Sequence, residues 1–289
     1  MTNLERDILG TSVAPHSNWL WHKPLRLLID AGEGLQLALH EHVWAPDFLA
    51  LTHSHSDHIL GLPGFITARR YGRGAPDKPL TILFPAGSEG VAAYRNLLGT
   101  LWSREQFPVT WLPMAPGDEF PIGNNRVLQA FASNHSRDQP TVGYRVFETR
   151  SRLRPEFAAF PHDTIRTMAR ERGRESLMEN YRHILFAHTG DTMPLDPSLF
   201  SRADLLVHDA TFLDEADRGY PTHATSGEAL EIARAAEVRC LVLHHLSNRY
   251  TRADAMARLT AQAAESGFTG QCWLLNGSEF FDLLEFSTL

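Results

Sequence analysis

The 289-residue chain is poor in cysteine, with Cys240 and Cys272 alone. That scarcity excludes a disulfide framework and a thiolate metal cage. Each sits inside an apolar, strand-like run, so both read as buried small hydrophobes in a reducing cytoplasm. Long hydrophobic runs are missing too: no window approaches about eighteen consecutive apolar residues, which argues against a membrane span. The opening stretch from Met1 to Asp7 lacks a basic start, an apolar run and a small-residue cleavage site, so no secretory leader is expected. Positive charge is short as well. A formal net charge of −7 leaves any phosphate-rich partner dependent on a local basic patch.

What is present is an ordinary globular composition, 43% hydrophobic and 21% charged, enough for a sizeable core. Strand-like runs bounded by Gly, Pro, Asn or Asp recur at 25–30, 47–51, 80–84, 109–112, 126–131 and 141–147. They resume at 183–187, 204–207, 239–243, 271–275 and 279–283. Helical runs lie between them at 87–98, 226–235 and 252–266, and Thr225 with Glu228 fits a capping box ahead of the second. This mixture predicts an α/β architecture with helices covering sheets. Residues 145–182 differ: nine arginines and no lysine against six acidic residues give a local charge of +3 (9 − 6). The segment reads as a mostly helical excursion, and either a solvated helix face or a working arm fits it.

Histidine is the unusual abundance, at 15 residues, and it is the commonest metal ligand. Four potential ligands crowd into His53-Ser-His55-Ser-Asp57-His58, just after the apolar run Phe48–Leu51. The end of a strand is where α/β sheets place their sites. His53 and His55 alternate, so one extended turn can aim both at one ion, while Asp57 and His58 can serve a second. Completing two coordination shells needs partners that also follow apolar runs. His135, Asp191 and one of His244 or His245 fit. Asp191, preceded by Gly190, is a natural bridging carboxylate. Neighbours on a strand point to opposite faces, so only one of the two consecutive histidines can face the site.

The order His53-x-His55-x-Asp57-His58, His135, Asp191, His245 resembles the metallo-β-lactamase fold. Further stretches resemble one branch of it, the short-form RNase Z family of tRNA 3′-processing endonucleases. They are Asp30-Ala-Gly-Glu-Gly-Leu-Gln36, Gly143-Tyr144, His208-Asp-Ala-Thr-Phe212, Thr222-His223-Ala-Thr225 and Leu243-His-His245-Leu-Ser-Asn-Arg249-Tyr250. The likeness runs from about Leu9 to Leu283 and implies a single αββα-sandwich domain over residues 1–289. It also implies His245, not His244, as the ligand. His53, His55, His135 and Asp191 would then surround one metal, with Asp57, His58, His245 and Asp191 around the other. An all-nitrogen-and-oxygen set suits Zn²⁺, with Mn²⁺ or Fe²⁺ as alternatives. Asp30 reads either as a group that orients a ligand or as a turn former.

Two divalent cations held about 3.5–4 Å apart can share a water and lower its pKa, which suits phosphodiester hydrolysis. The residues expected to act in the reaction are Asp57, His223 as proton donor, and Asp209 behind it to fix the tautomer and raise the pKa. The family generally has Glu where this chain has Asp209. The expected activity is removal of 3′ trailers from precursor tRNA, with the Arg-rich segment placed where the family projects its tRNA-gripping arm. Hydrolysis of small phosphodiesters or cyclic nucleotides on the same scaffold is the alternative, and a non-catalytic metal-binding module is a third reading. The family's habit implies a homodimer.

Overall fold

A computed structural model describes residues 4–71, 77–101 and 108–284. The first sheet carries β1 (Ile8–Val13), β2 (Ser17–His22), β3 (Leu27–Ile29), β4 (Phe48–Ala50), β5 (Leu80–Pro85) and β6 (Val109–Met114), in that spatial order. β1 to β3 are antiparallel neighbours, and β3 to β6 run parallel. The second sheet carries β7 (Glu119–Gly123), β8 (Arg126–Ala132), β9 (Val142–Leu153), β10 (Met178–His188), β11 (Leu206–Asp209), β12 (Cys240–His244), β13 (Gln271–Asn276) and β14 (Glu279–Asp282), again in sequential order. Its centre, β10 to β13, is parallel.

Strand periodicity then builds four layers. On β12, Cys240 and Val242 join a cluster with Leu27, Ile29 and Phe186 between the two sheets, whereas Leu241 and Leu243 face the outer helices. The helices α1 (Leu4–Asp7), α2 (Leu35–Leu39), α3 (Ser56–Ile59), α4 (Leu62–Tyr71) and α5 (Glu89–Leu101) belong to the first half. Leu35, Leu39, Leu62, Phe65 and Val91 from that half pack with Leu28, Leu49 and Ile82 of the first sheet. After α6 (His162–Arg172), α7 (Ser226–Ala235) and α8 (Arg252–Glu265) cover the second sheet through Leu230, Ala233, Ala255 and Leu259. Each fully buried leucine contributes roughly 1.5–3 kcal/mol, so these three apolar layers hold the αββα sandwich together. The capping box at Thr225 and Glu228 is formed as expected.

Three strands lie outside the sequence expectation. β2 is wholly buried and β1 buries alternate residues, and their Gly10, Ser12, Ser17 and Asn18 break the apolar pattern. β7 is short and edge-placed. The Arg-rich segment also needs correcting: it is not mostly helical. β9 and β10 pair from Tyr144–His188 out to Leu153–Met178, and only the tip carries a helix, α6. The arm is therefore a two-stranded ribbon with a helical head. Arg170, Arg172 and Arg174 are exposed there.

Candidate metal centre

Parallel strands deliver their C-terminal ends to one edge of the sandwich, and the site gathers there. Asp30 follows β3, His53 follows β4, Asp191 follows β10, Asp209 closes β11 and His245 follows β12. Asp30 and His245 both adopt left-handed backbone, with φ of 57° and 64°, a conformation that non-glycine residues adopt at a cost. Gly190 also has positive φ, and a Cβ there would lie 2.8 Å from Thr52 Cβ. The loop bearing Asp191 can therefore reach the cluster only with glycine at that turn.

Every expected ligand residue is brought together. His53, His55, His135 and Asp191 form one convergent group, and Asp57, His58 and His245 a second. Asp191 joins the two: Oδ2 lies 3.7 Å from His53 Nε2, 3.8 Å from His135 Nε2 and 3.3 Å from His245 Nε2, while Oδ1 lies 3.4 Å from His58 Nε2. Asp57 Oδ2 is 3.3 Å from Nε2 of both His58 and His245. His55 presents Nδ1, 3.0 Å from His53 Nε2 and 3.1 Å from His135 Nε2. His55 is exposed while the others are buried, so it marks the open side of the centre.

The surrounding hydrogen bonds decide which nitrogens are free. Thr52 donates its hydroxyl to Asp30 Oδ2 at 2.8 Å, so it must accept at 2.9 Å from His53 Nδ1. His58 Nδ1 donates to the same Asp30 oxygen at 2.8 Å, and His135 Nδ1 to the Thr222 carbonyl at 2.8 Å. Thr211 donates to Asp209 Oδ1 at 2.7 Å and accepts from His245 Nδ1 at 2.9 Å. With the proton fixed on Nδ1, each neutral ring turns an unprotonated Nε2 into the cluster. Asp30 thus orients ligands as well as occupying a turn.

Electrostatics differ across the centre. Burial lowers His53 and His135 below the usual histidine value, and the partly desolvated His55 shifts the same way, with neighbouring imidazoles adding to the effect. Burial also works downward on His58, but Asp191 and Asp30 outweigh it and raise its pKa, so this ring would give up its Nε2 proton to a bound cation. Burial pushes Asp57 and Asp191 up, but their contacts with His245 and His58 outweigh it and hold both well below the carboxylate range. Imidazole nitrogens facing ionised carboxylates are a donor set for cations. Two buried atoms make the fit specific: His58 Nε2 and Asp191 Oδ1 have no hydrogen-bond partner, although they lie 3.4 Å apart. Coordination of a cation would satisfy both.

His223 stands at the edge of this cluster, its ring stacked on His245 at 5.0 Å between centroids. Its Nδ1 donates to Asp209 Oδ2 at 2.7 Å. Burial lowers the His223 pKa, but the Asp209 carboxylate outweighs it and raises it to about 9. Asp209 is itself buried and fully subscribed, accepting from Thr192 N at 2.9 Å and Thr211 N at 2.8 Å as well. His244 points elsewhere, its ring 4.7 Å from that of His188. Sequence reading missed the roles of Thr52 and Thr211, although both sit inside motifs it singled out. It also missed Asn18, whose amide donates to Asp57 Oδ2 at 2.8 Å from an unrecognised strand.

Known proteins match this architecture. The Beta-lactamase superfamily domain matches residues 25–170. Ribonuclease Z of Natronomonas pharaonis is 30% identical over 281 residues, covering 89% of this chain and 88% of the relative. The metallo-β-lactamase fold protein YhfI from Bacillus subtilis superposes with a TM-score of 0.64 at 17% identity, over 95% of this chain and 99% of the other. Human tRNase Z, short form, superposes with a TM-score of 0.60 at 21% identity, over 84% of this chain and 93% of the other.

Proposed function

We propose, from the premise that the chain belongs to the ribonuclease Z family of the β-lactamase superfamily, that it is a metal-dependent endoribonuclease that removes 3′ trailers from precursor tRNA. The observation that carries the chemistry is the Asp209–His223 pair beside the seven-residue donor cluster. His53, His55, His135 and Asp191 would hold one divalent ion, and Asp57, His58, His245 and Asp191 the other, with Zn²⁺ the ion that suits the donors. Such ions supply Lewis acidity to water and to phosphate oxygens.

The protein's own contribution is orientation and a proton. Asp57 and Asp191 are ionised, and their charge would offset that of cations held by the cluster. His223 is protonated at neutral pH, with Nδ1 committed to Asp209, so its Nε2 proton is the one available to the departing 3′ oxygen. Its side chain is 16% exposed, enough to meet substrate from the open side. The exposed Arg170, Arg172 and Arg174 on the ribbon's head fit phosphate contacts that position RNA without reading its sequence. The reading carries with it a homodimer, by family resemblance, which sedimentation velocity checks, and a cytoplasmic location, which the two lone, buried cysteines fit. Among the described residues no helix is long and apolar enough to cross a membrane.

The decisive experiment incubates metal-loaded protein with a 3′-extended tRNA and, separately, with bis(p-nitrophenyl) phosphate. Cleavage of the tRNA at the 3′ boundary of the acceptor stem is the expected result. Hydrolysis of the small ester alone would replace this reading with a small-phosphodiester hydrolase. Arg170→Ala with Arg174→Ala should weaken RNA binding and flatten its salt dependence. Unchanged affinity would return the head to a solvated surface.

A further inference from the structure

Each half of the metal centre draws residues from both sheets, and β1 reaches across to Asp57 from the first and His245 from the second. Ser12 and Asn18 are direct partners across the β1–β2 hairpin, and each is only 3% exposed. The Ser12 hydroxyl donates to Asn18 Oδ1 at 3.0 Å and accepts from the His245 backbone N–H at 2.7 Å. Asn18 Nδ2 then donates to Asp57 Oδ2 at 2.8 Å. Three consecutive hydrogen bonds thus run from the backbone of one expected ligand to the carboxylate of another. Ser12 is fixed by its main chain as well: its N–H donates to Gly277 O at 2.8 Å, and Gly277 N donates back at 2.9 Å. That pair pins β1 of the first sheet to the turn between β13 and β14 of the second.

Each member of the chain constrains the next. The carbonyl of Asn18 is occupied by Ser12, so the amide cannot flip, and its N–H must face Asp57. The oxygen it contacts is the one approached by both His58 and His245. A neutral donor there fixes the plane of the carboxylate without bringing a positive charge that would compete with a cation. At the other end, Ser12 holds the N–H of a residue whose backbone is in the left-handed region. The chain holds none of His53, His55 and His135 by a hydrogen bond; it reaches their group through Asp191, whose Oδ2 lies 3.3 Å from His245 Nε2.

We infer that Ser12 and Asn18 are positioning residues that set how Asp57 and His245 converge, and so govern the second cation of the pair selectively. The inference rests on the two-ion reading given above. Equilibrium dialysis of the full-length wild type, Asn18→Leu, Ser12→Ala and the double variant against Zn²⁺ tests it. Visible absorption of the Co²⁺-substituted proteins and melting of the metal-free proteins complete the comparison. The wild type should bind two ions. Each single variant should keep the first at wild-type affinity and hold the second about 10–100-fold more weakly, with the Co²⁺ spectrum of that second ion altered. The double variant should lose less than the sum of the two, because Ser12 acts partly through Asn18. Two ions retained at wild-type affinity, or both weakened equally, would overturn the inference while leaving the two-ion reading intact. A lower melting temperature of the metal-free variants with unchanged Zn²⁺ binding would reduce the pair to a structural role. Should Asn18→Leu fail to fold, Ser12→Ala alone decides by the same criteria. A wild type that binds no second ion would remove both readings together.

Discussion

Asp30 and Asp209 hold corresponding places in the two sheets, each at the C-terminal end of a parallel strand. Each accepts a backbone N–H and a hydroxyl from one threonine, Thr52 at 2.7 and 2.8 Å for Asp30, Thr211 at 2.8 and 2.7 Å for Asp209. Each threonine in turn accepts from Nδ1 of a histidine, His53 or His245. The difference is the second histidine. Asp30 grips His58, fully buried and aimed into the cluster, whereas Asp209 grips His223, part-exposed and at its edge. On the function proposed above, one carboxylate relay would serve cation binding alone. The other would be divided between a cation ligand and a proton donor. Duplicating one device and changing its last member would then separate binding from chemistry while keeping both rigid.

The comparison breaks most severely at Asp30. In Asp30→Asn, an amide facing His58 donates to Nδ1, drives the proton to Nε2 and removes that lone pair from the cluster. Both ions should weaken, each by about 10–100-fold, with activity lost accordingly. Zn²⁺ dialysis checks this, and two ions at wild-type affinity would leave Asp30 a turn residue only. On the other relay, His223→Ala should keep both ions yet slow tRNA cleavage by about 10²–10⁴-fold. Bis(p-nitrophenyl) phosphate, with its good leaving group, should be far less affected. Equal losses on the two substrates would exclude His223 as the acid.

Smaller changes sharpen the parallel. Thr52→Val and Thr211→Val each cut one relay at its middle, and each should cost about tenfold in metal affinity. A cost at only one would show that the two relays are alike in geometry but not in function. The smallest effect on chemistry should come from His22, which packs on Phe186 between the sheets, with ring centroids 5.1 Å apart. Burial lowers its pKa to about 4, so the folded state binds fewer protons than the unfolded chain. Its stability contribution is complete above about pH 6.5 and is lost as pH falls toward 4. His22→Asn should shift acid unfolding, followed by circular dichroism, to lower pH and leave activity at pH 7.5 unchanged. An unshifted midpoint would mean that the other buried histidines dominate acid unfolding.

Much of this was legible in the residues. The runs at 80–84, 126–131 and 271–275 became strands because apolar, β-branched stretches between turn formers have little alternative. The His53–His58 cluster announced a site because six residues with four potential ligands are rare as core. The hairpin β1–β2 was hidden because β2 is buried on both faces, which erases alternation, and the buried face of β1 carries Gly10 and Ser12, which with Asn18 look like loop residues until their partners are known. The Arg-rich segment misled for the opposite reason: Arg and Glu suit helices, yet here they alternate along an exposed ribbon where cross-strand pairs such as Arg152 with Glu179 hold them.

The sequence by itself determined an α/β architecture and the residue types of the candidate metal centre, because periodicity and ligand chemistry are local properties of the chain; the αββα layering came from the family resemblance. That resemblance also already implied His245 rather than His244. Only the tertiary structure decided which nitrogen each histidine presents, that Ser12 holds the His245 backbone, and that Asn18 belongs to the cluster. Those facts depend on hydrogen bonds between residues as far apart as Ser12 and His245. No window of the chain contains them until the two sheets close.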